Sequence, residues 1–331
     1  MDFVNPMVFF HLIKLVYHMG MEKVLVTGGA GFIGSHLCDK LLDASYEVTC
    51  LDNLLTGSKK NIDHLLKNPN FKFMDQDIAS KIDLPGFDFA FHLASPASPI
   101  DYQNYPEETL LANSLGTLNI LDFAKESGAK ILIASTSEVY GDPKEHPQKE
   151  TYWGNVNPFG PRACYDESKR FAEAATYVFL NKHGIDARIV RIFNTYGPRM
   201  QKDDGRVVSN FVNWAIRDKD IKVDGDGTQT RSFCFVSDMV EGIFKAMFEN
   251  GTKGEIFNLG NPKEFTILEL AKEVIKHTSS KSEVVFSGSF RQDDPMQRQP
   301  DISKAKKILG WDPKVNLVEG LQKTIEYYRS S

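Results

Sequence analysis

Short, nearly continuous apolar runs at 23–27, 47–52, 71–74, 87–94 and 130–135 alternate with longer stretches, clearest at 31–44 and 107–127, in which apolar residues recur every three or four positions. Continuous runs predict strands buried on both faces, and the three-to-four period predicts helices with one apolar side. Strand and helix in alternation predict a doubly wound parallel sheet of the α/β class. Beyond residue 195 the alternation loosens. Loops at 198–206, 224–230 and 287–300 separate helices expected near 207–217, 238–249, 266–278 and 317–328. This pattern predicts a smaller C-terminal α/β lobe packed against the sheet and supplying a substrate pocket. No internal repeat interrupts the order.

Composition narrows the class without changing this picture. With 41% hydrophobic and 25% charged residues, the chain of 331 residues is that of a folded globular protein. Its 39 Lys and Arg against 44 Asp and Glu give a net charge of −5. No basic block is present, which argues against nucleic acid as a partner. Cys38, Cys50, Cys164 and Cys234 are scattered with no paired spacing, so neither a metal site nor a disulfide framework is indicated, and a reducing, cytoplasmic compartment is expected. The apolar stretch 8–16 is broken by His11 and Lys14, is too short to span a membrane and lacks a small-residue cleavage site. Residues 1–20 are therefore expected to be an extension ahead of a second start at Met21, with no membrane association.

The first chemical signal follows the first strand. Gly28, Gly31 and Gly34 form G-x-x-G-x-x-G where a strand runs into a helix, and the second strand ends in Asp52. Glycines there let a pyrophosphate approach the backbone, and a carboxylate at the second strand's end accepts hydrogen bonds from a ribose. Asp52 would repel a 2′-phosphate, and Asn53, Leu54 and Leu55 offer no cation, so NAD is favoured over NADP. Asp77, after the third run, is placed either to contact the adenine or simply to be solvated.

Two Tyr-x-x-x-Lys pairs occur. Gly141-Asp142-Pro143 between Tyr140 and Lys144 cannot continue a helix, whereas the residues between Tyr165 and Lys169 can, so the second pair is expected on one helix face. A phenol is a poor base at neutral pH; an ammonium one turn away and a bound nicotinamide are expected to favour the tyrosinate. Ser135-Thr136-Ser137-Glu138 follows the fifth strand, where ligands of such sheets bind. Thr136 is placed to share a substrate oxygen with Tyr165, and Glu138 to act as acid or base on a neighbouring carbon.

Longer runs carry a resemblance: His92-Leu93-Ala94-Ser95-Pro96-Ala97-Ser98-Pro99, Gly160-Pro161-Arg162-Ala163-Cys164-Tyr165-Asp166-Glu167, Asn194-Thr195-Tyr196-Gly197-Pro198-Arg199-Met200 and Asp204-Gly205-Arg206-Val207-Val208-Ser209-Asn210-Phe211. Over about residues 22–328 the chain resembles the extended short-chain dehydrogenase/reductases that act on nucleotide sugars, and most of all their branch that decarboxylates UDP-glucuronate. That likeness implies a Rossmann-type sheet in 21–195, a nucleotide-sugar lobe in 196–331 interleaved with it, and a homodimer built on two helices per subunit. It implies Tyr165, Lys169, Thr136 and Glu138 as the catalytic set. NAD would be held by Gly28, Gly31, Phe32, Ile33 and Gly34, by Asp52, Asn53, Thr56, Gly57, Asp77 and Ile78, by Leu93, Ala94 and Ser95, and by Ser135, Tyr165, Lys169, Thr195 and Arg199. The nucleotide sugar, UDP-glucuronate, would meet Pro96, Ser98, Tyr102, Thr136, Asn194, Arg206, Val207, Arg231 and Arg298.

The related 4,6-dehydratases carry an Asp after the Thr as the proton donor for water loss; here that position is Ser137. Oxidation of C4 in a glucuronate makes a β-keto acid, which loses carbon dioxide without such a donor, so NAD-dependent conversion of UDP-glucuronate to UDP-xylose leads. Dehydration of a nucleotide glucose is the alternative, and a dinucleotide-binding module without catalysis is a second. One departure from the decarboxylase pattern stands out: the stretch Ser80-Lys81-Ile82-Asp83-Leu84-Pro85 lacks a Tyr that holds the glucuronate, leaving Tyr102 and Arg298 to do so.

Overall fold

In a computed structural model, residues 20–288 and 297–331 are described. Seven strands form one parallel sheet: β1 (Lys23–Thr27), β2 (Glu47–Asp52), β3 (Phe71–Asp75), β4 (Phe89–His92), β5 (Lys130–Thr136), β6 (Ala187–Ile192) and β7 (Ile256–Leu259). Their order is β7-β6-β5-β4-β1-β2-β3, each neighbour parallel. The helices, in chain order, are α1 (Phe32–Asp43), α2 (Pro99–Asn104), α3 (Pro106–Asn113), α4 (Leu115–Ser127), α5 (Ala163–His183), α6 (Val207–Ile216), α7 (Val236–Phe248), α8 (Ile267–Thr278), α9 (Ser303–Leu309) and α10 (Leu317–Ser330).

Side-chain parity builds the two faces. Val24 and Val26 point into one core with Leu37, Leu41 and Val240, while Leu25 points into the other with Ile120, Ile131 and Ala172. Both faces are covered, so the strands read as unbroken apolar runs. The chain reverses direction across the sheet between β1 and β4, and the crevice at the C-terminal ends of those strands is where such sheets take ligands.

The five expected strands all form, with bounds shifted by a residue or two. Two sheet strands were not among them: Arg188 and Arg191 break the apolar run of β6, and β7 holds only four residues. The single helix expected over 107–127 is two, because the backbone kinks at Ser114, whose hydroxyl turns back to the Leu110 carbonyl. Past residue 195 the chain interleaves: α7 packs on α1 and β6, and β7 extends the main sheet. The smaller lobe carries the pairs Thr230–Ser232 with Glu264–Thr266 and Ile221–Val223 with Val284–Phe286. The extension 1–19 and the run Asp293-Asp294-Pro295-Met296 lie outside the described residues.

Candidate active site

β1 runs straight into the turn at Gly28, which sits at φ 72°; a Cβ there would lie 2.6 Å from the Ala94 backbone nitrogen. Gly34 faces the Gly28 carbonyl at contact distance, so α1 can seat directly on the turn only without a side chain. No side chain caps the N-terminus of α1 and no acid lies in its first turn, which leaves donor amides and the positive end of the helix facing the crevice. Asp52 is fixed beside them: Oδ2 accepts the Ala30 amide at 3.0 Å and Oδ1 the Leu54 amide at 2.8 Å. Burial raises its pKa from the ordinary carboxylate value against those two bonds. Asp77 accepts from Asn53 Nδ2 at 3.0 Å and from the Ala79 amide at 2.8 Å. A glycine cradle, uncapped amides, a fixed carboxylate and the buried, unpartnered Asn194 Nδ2 together fit a dinucleotide.

From this end one cleft of about 660 Å³ continues past the ends of β4 and β5 into the smaller lobe. Every residue the sequence nominated for catalysis, cofactor or substrate lines it. Several of these side chains are also bonded within the protein. Ser135 spends its hydroxyl on Glu173, at 2.5 Å, so only its backbone is offered to the cleft. Thr195 donates to the Phe193 carbonyl and Ser98 caps α2 by accepting the Asp101 amide. Arg199 pairs with Asp39 at 2.7 Å, and Arg206 pairs with Asp204 through Nε at 2.7 Å.

Tyr165 and Lys169 share a face of α5 and are both buried, as the second Tyr-x-x-x-Lys spacing requires. The first pair does not form a site: the Tyr140 hydroxyl is spent inside the protein on Asn258. Thr136 Oγ1 accepts the Glu138 amide at 3.2 Å and stands beside the Tyr165 phenol, whose ionised form it favours against burial. Tyr102 stacks on Tyr165 with ring centres 5.1 Å apart and planes 7° from parallel, and its own hydroxyl is buried without a partner. Lys169 follows one turn after Tyr165 and is buried with it. Its Nζ donates to the Ala134 carbonyl at 2.9 Å, burial pulls it down to about 7, and burial raises the phenol above its usual value. In the chain alone the phenol keeps its proton.

Glu138 is held as an anion. Arg298 grips both its oxygens, with Nη2 2.9 Å from Oε2, and Arg162 holds Oε2 from the other side. The side chain of Arg298 is 3% exposed and that of Arg162 12%. Although burial opposes it, the two guanidiniums hold the Glu138 carboxyl down at about 2, so it is an anion at working pH and has no proton to give as an acid. Asp166, 3.7 Å from Arg162 Nε, is buried beside this cluster, and desolvation raises it to about 7. Arg162 is the functional residue that sequence reasoning missed. It sits in a matched run and at the N-cap of α5, yet its partner lies 24 positions away. Arg231 is buried at the substrate end, donating to the Thr230 carbonyl at 2.8 Å. Among the described residues no cluster of His, Cys, Asp and Glu could hold a metal ion, and no helix is long and apolar enough to cross a membrane.

The sequence matches the GDP-mannose 4,6 dehydratase family over residues 25–324. It is 49% identical over 317 residues to UDP-glucuronic acid decarboxylase 1 of Xenopus tropicalis, covering 96% of this chain and 74% of that one. To UDP-glucuronic acid decarboxylase 3 of Arabidopsis thaliana it is 53% identical over 308 residues, covering 93% and 89%. Among solved structures, UDP-glucuronic acid 4-epimerase from Bacillus cereus, crystallised with UDP-glucuronic acid and NAD, superimposes with a TM-score of 0.84 at 31% identity, over 93% of this chain and 99% of that one. With the glycine cradle, the Tyr165–Lys169 face and a sequence match over almost its whole length, the chain belongs to the extended short-chain dehydrogenase/reductase family of NAD-dependent nucleotide-sugar epimerases and dehydratases.

Proposed function

We infer that the protein converts UDP-glucuronate to UDP-xylose and carbon dioxide with NAD as its cofactor, as the names of its relatives and the chemistry of the cleft together support. Bound NAD supplies reversible uptake of a hydride from C4 of the sugar. Tyr165 takes the C4 hydroxyl proton and Thr136 hydrogen-bonds the same oxygen, so negative charge forming there meets two hydroxyls. With C4 a ketone, the C5 carboxylate belongs to a β-keto acid. Its C–C bond electrons pass into the enolate as carbon dioxide leaves, the enolate takes a proton at C5, and the hydride first removed would return to C4 as Tyr165 gives its proton back to the C4 oxygen, which makes the UDP-xylose hydroxyl and leaves the cofactor as NAD. Lys169 and the α1 N-terminus face the cofactor end, and Arg206, Arg231 and Arg298 face the nucleotide-sugar end.

The observation that carries this reading is the cluster around Glu138. Arg162 and Arg298 together outweigh the single charge of the Glu138 they hold, leaving net positive charge near Thr136 for a substrate carboxylate, whereas Ser137 and an ionised Glu138 leave water elimination without its acid. Incubated with UDP-glucuronate and NAD, the protein should release carbon dioxide and leave a UDP-pentose by mass spectrometry. A nucleotide 4-keto-6-deoxy sugar formed from a nucleotide glucose, with no carbon dioxide from UDP-glucuronate, would sink the reading in favour of dehydration.

The same reading extends to assembly and compartment. α3 and α5 lie side by side and present an apolar face, with Leu111 48%, Tyr177 70% and Val178 52% exposed. A face of this kind suits a second copy of the chain, two helices from each, and the protein is read as a homodimer. Val178→Asp should convert it to monomer in sedimentation velocity; an unchanged dimer would place the contact elsewhere. Four free cysteines, three of them buried, support a reducing cytoplasmic setting.

A further inference from the structure

The segment 197–201, beyond β6, closes one side of the cofactor end of the cleft. Arg199 within it sits at φ 66°, in the left-handed region that a side chain adopts only where its surroundings hold it there. They hold it from both sides. Inward, Met200 is buried, and the Tyr328 hydroxyl on α10 donates to the Met200 carbonyl at 3.0 Å and to the Gln201 carbonyl at 3.3 Å. Outward, the segment reaches the elements that carry the glycine turn. His36 Nε2 on α1 donates to the Pro198 carbonyl at 3.0 Å, Arg199 Nη1 pairs with Asp39 Oδ2 at 2.7 Å, and Gln201 Nε2 donates to the Thr56 carbonyl at 2.6 Å. Asp39 Oδ1 takes His64 Nε2 at 2.7 Å, so both of its oxygens are engaged.

These links form a closed circuit at the mouth of the cleft. Thr56, Gly57 and Ser58, which follow Asp52, line it together with Arg199, Met200 and Gln201. The Ser58 amide donates to the Ala30 carbonyl of the glycine turn at 3.0 Å. Contacts therefore run from the glycine turn through Ser58 and Thr56 to Gln201, along the segment to Arg199, across to Asp39, and back down α1 to the turn. Each link is modest, since Asp39 is 27% and Arg199 19% exposed and such pairs are weak singly. Together they act as one strap, which opens only when all of them release. The reaction proposed above gives that strap a use. The hydride removed from C4 returns only after carbon dioxide has left, and until then the sugar is a ketone that only the reduced cofactor in the same cleft can restore.

We propose that Asp39 and Gln201 are positioning residues that pin segment 197–201 over the cofactor end of the cleft, so that the reduced cofactor is retained until its hydride returns. The retention rests on these contacts; its consequence for the products rests on the decarboxylase reading. NADH bound to the purified protein can be chased with excess NAD in a stopped-flow instrument, the loss of its fluorescence giving the dissociation rate. Asp39→Asn and Gln201→Ala should each raise that rate about fivefold, and together about twentyfold. UDP, which takes the far end of the cleft, should bind the variants within about twofold of wild type by calorimetry, whereas a general loosening of the fold would weaken both ligands alike. In turnover of UDP-glucuronate the double variant should shed NADH and the decarboxylated ketone, UDP-4-keto-pentose, found by mass in the filtrate, where wild type yields UDP-xylose. A double variant whose NADH dissociation stays within about twofold of wild type would overturn the proposal. So would an equal loss of UDP affinity, or carbon dioxide released by that variant with no free ketone. If Asp39→Asn does not fold, Gln201→Ala decides it alone by the same three measurements. Wild-type protein that releases no carbon dioxide would overturn the decarboxylase reading and leave the NADH chase standing.

Discussion

Tyr165→Phe should lower kcat for carbon dioxide release from UDP-glucuronate by about a thousandfold, within the range that a positioned general base contributes, and leave KM nearly unchanged. The substitution removes one oxygen. The ring remains stacked on Tyr102 and packed in α5, so substrate still finds a preformed cleft. What is lost is the phenol oxygen that, in the proposed reaction, takes the C4 hydroxyl proton. Because burial keeps the phenol protonated in the ligand-free chain, its proton must leave and return within the catalytic cycle. Single-turnover measurements should therefore show the loss in the oxidation step, with no intermediate accumulating. Activity within tenfold of wild type would mean that another base serves C4.

Glu138→Gln is the second large effect, and it should appear in stability as well as in rate. The change leaves Arg162 and Arg298 buried without their shared anion, and removing one partner of a buried ion cluster costs roughly 3–5 kcal/mol. At about 2 °C per kcal/mol for a chain of this size, Tm should fall by roughly 6–10 °C at pH 7. The sign with pH follows from the lowered pKa. Glu138 stabilises the fold fully above the unfolded value near 4.3, and that contribution disappears as pH falls toward about 2. The gap between wild type and variant, measured by calorimetry, should therefore be widest near neutrality and shrink in acid. A gap that grows on acidification would contradict the assigned charge. Turnover should be lost as well, because the two guanidiniums would then be set by each other's repulsion.

These residues also show how much the sequence alone disclosed. Gly28, Gly31, Gly34 and Asp52 were legible because backbone clearance and strand-end placement depend on local spacing, and the two Tyr-x-x-x-Lys pairs were separable by Gly141 and Pro143 alone. What local spacing cannot express is a partner from a distant segment. That the Ser135 hydroxyl donates to Glu173, on another element, is written nowhere in its neighbours. Spacing left Glu138 open as acid or base, and it could not show that Arg162 and Arg298 converge on it, the latter 160 positions away. Burial by the surrounding sheet, which acts on Lys169 and Tyr165 at once, is equally invisible to local spacing. β6 and β7 went unread because a strand interrupted by arginines, or only four residues long, carries too little pattern to be told from a loop.

The placement of β7 bears on how the molecule is made. The outer edge of β6 is covered only by residues 256–259, which leave the ribosome long after β6 itself. Until then β6 stands as the edge of the sheet with an unpaired ladder of amides and carbonyls, the kind of edge that recruits strands from other chains. Nascent chains halted before residue 256 should be aggregation-prone and dependent on chaperones, whereas those extended just past 259 have every strand of the main sheet in hand.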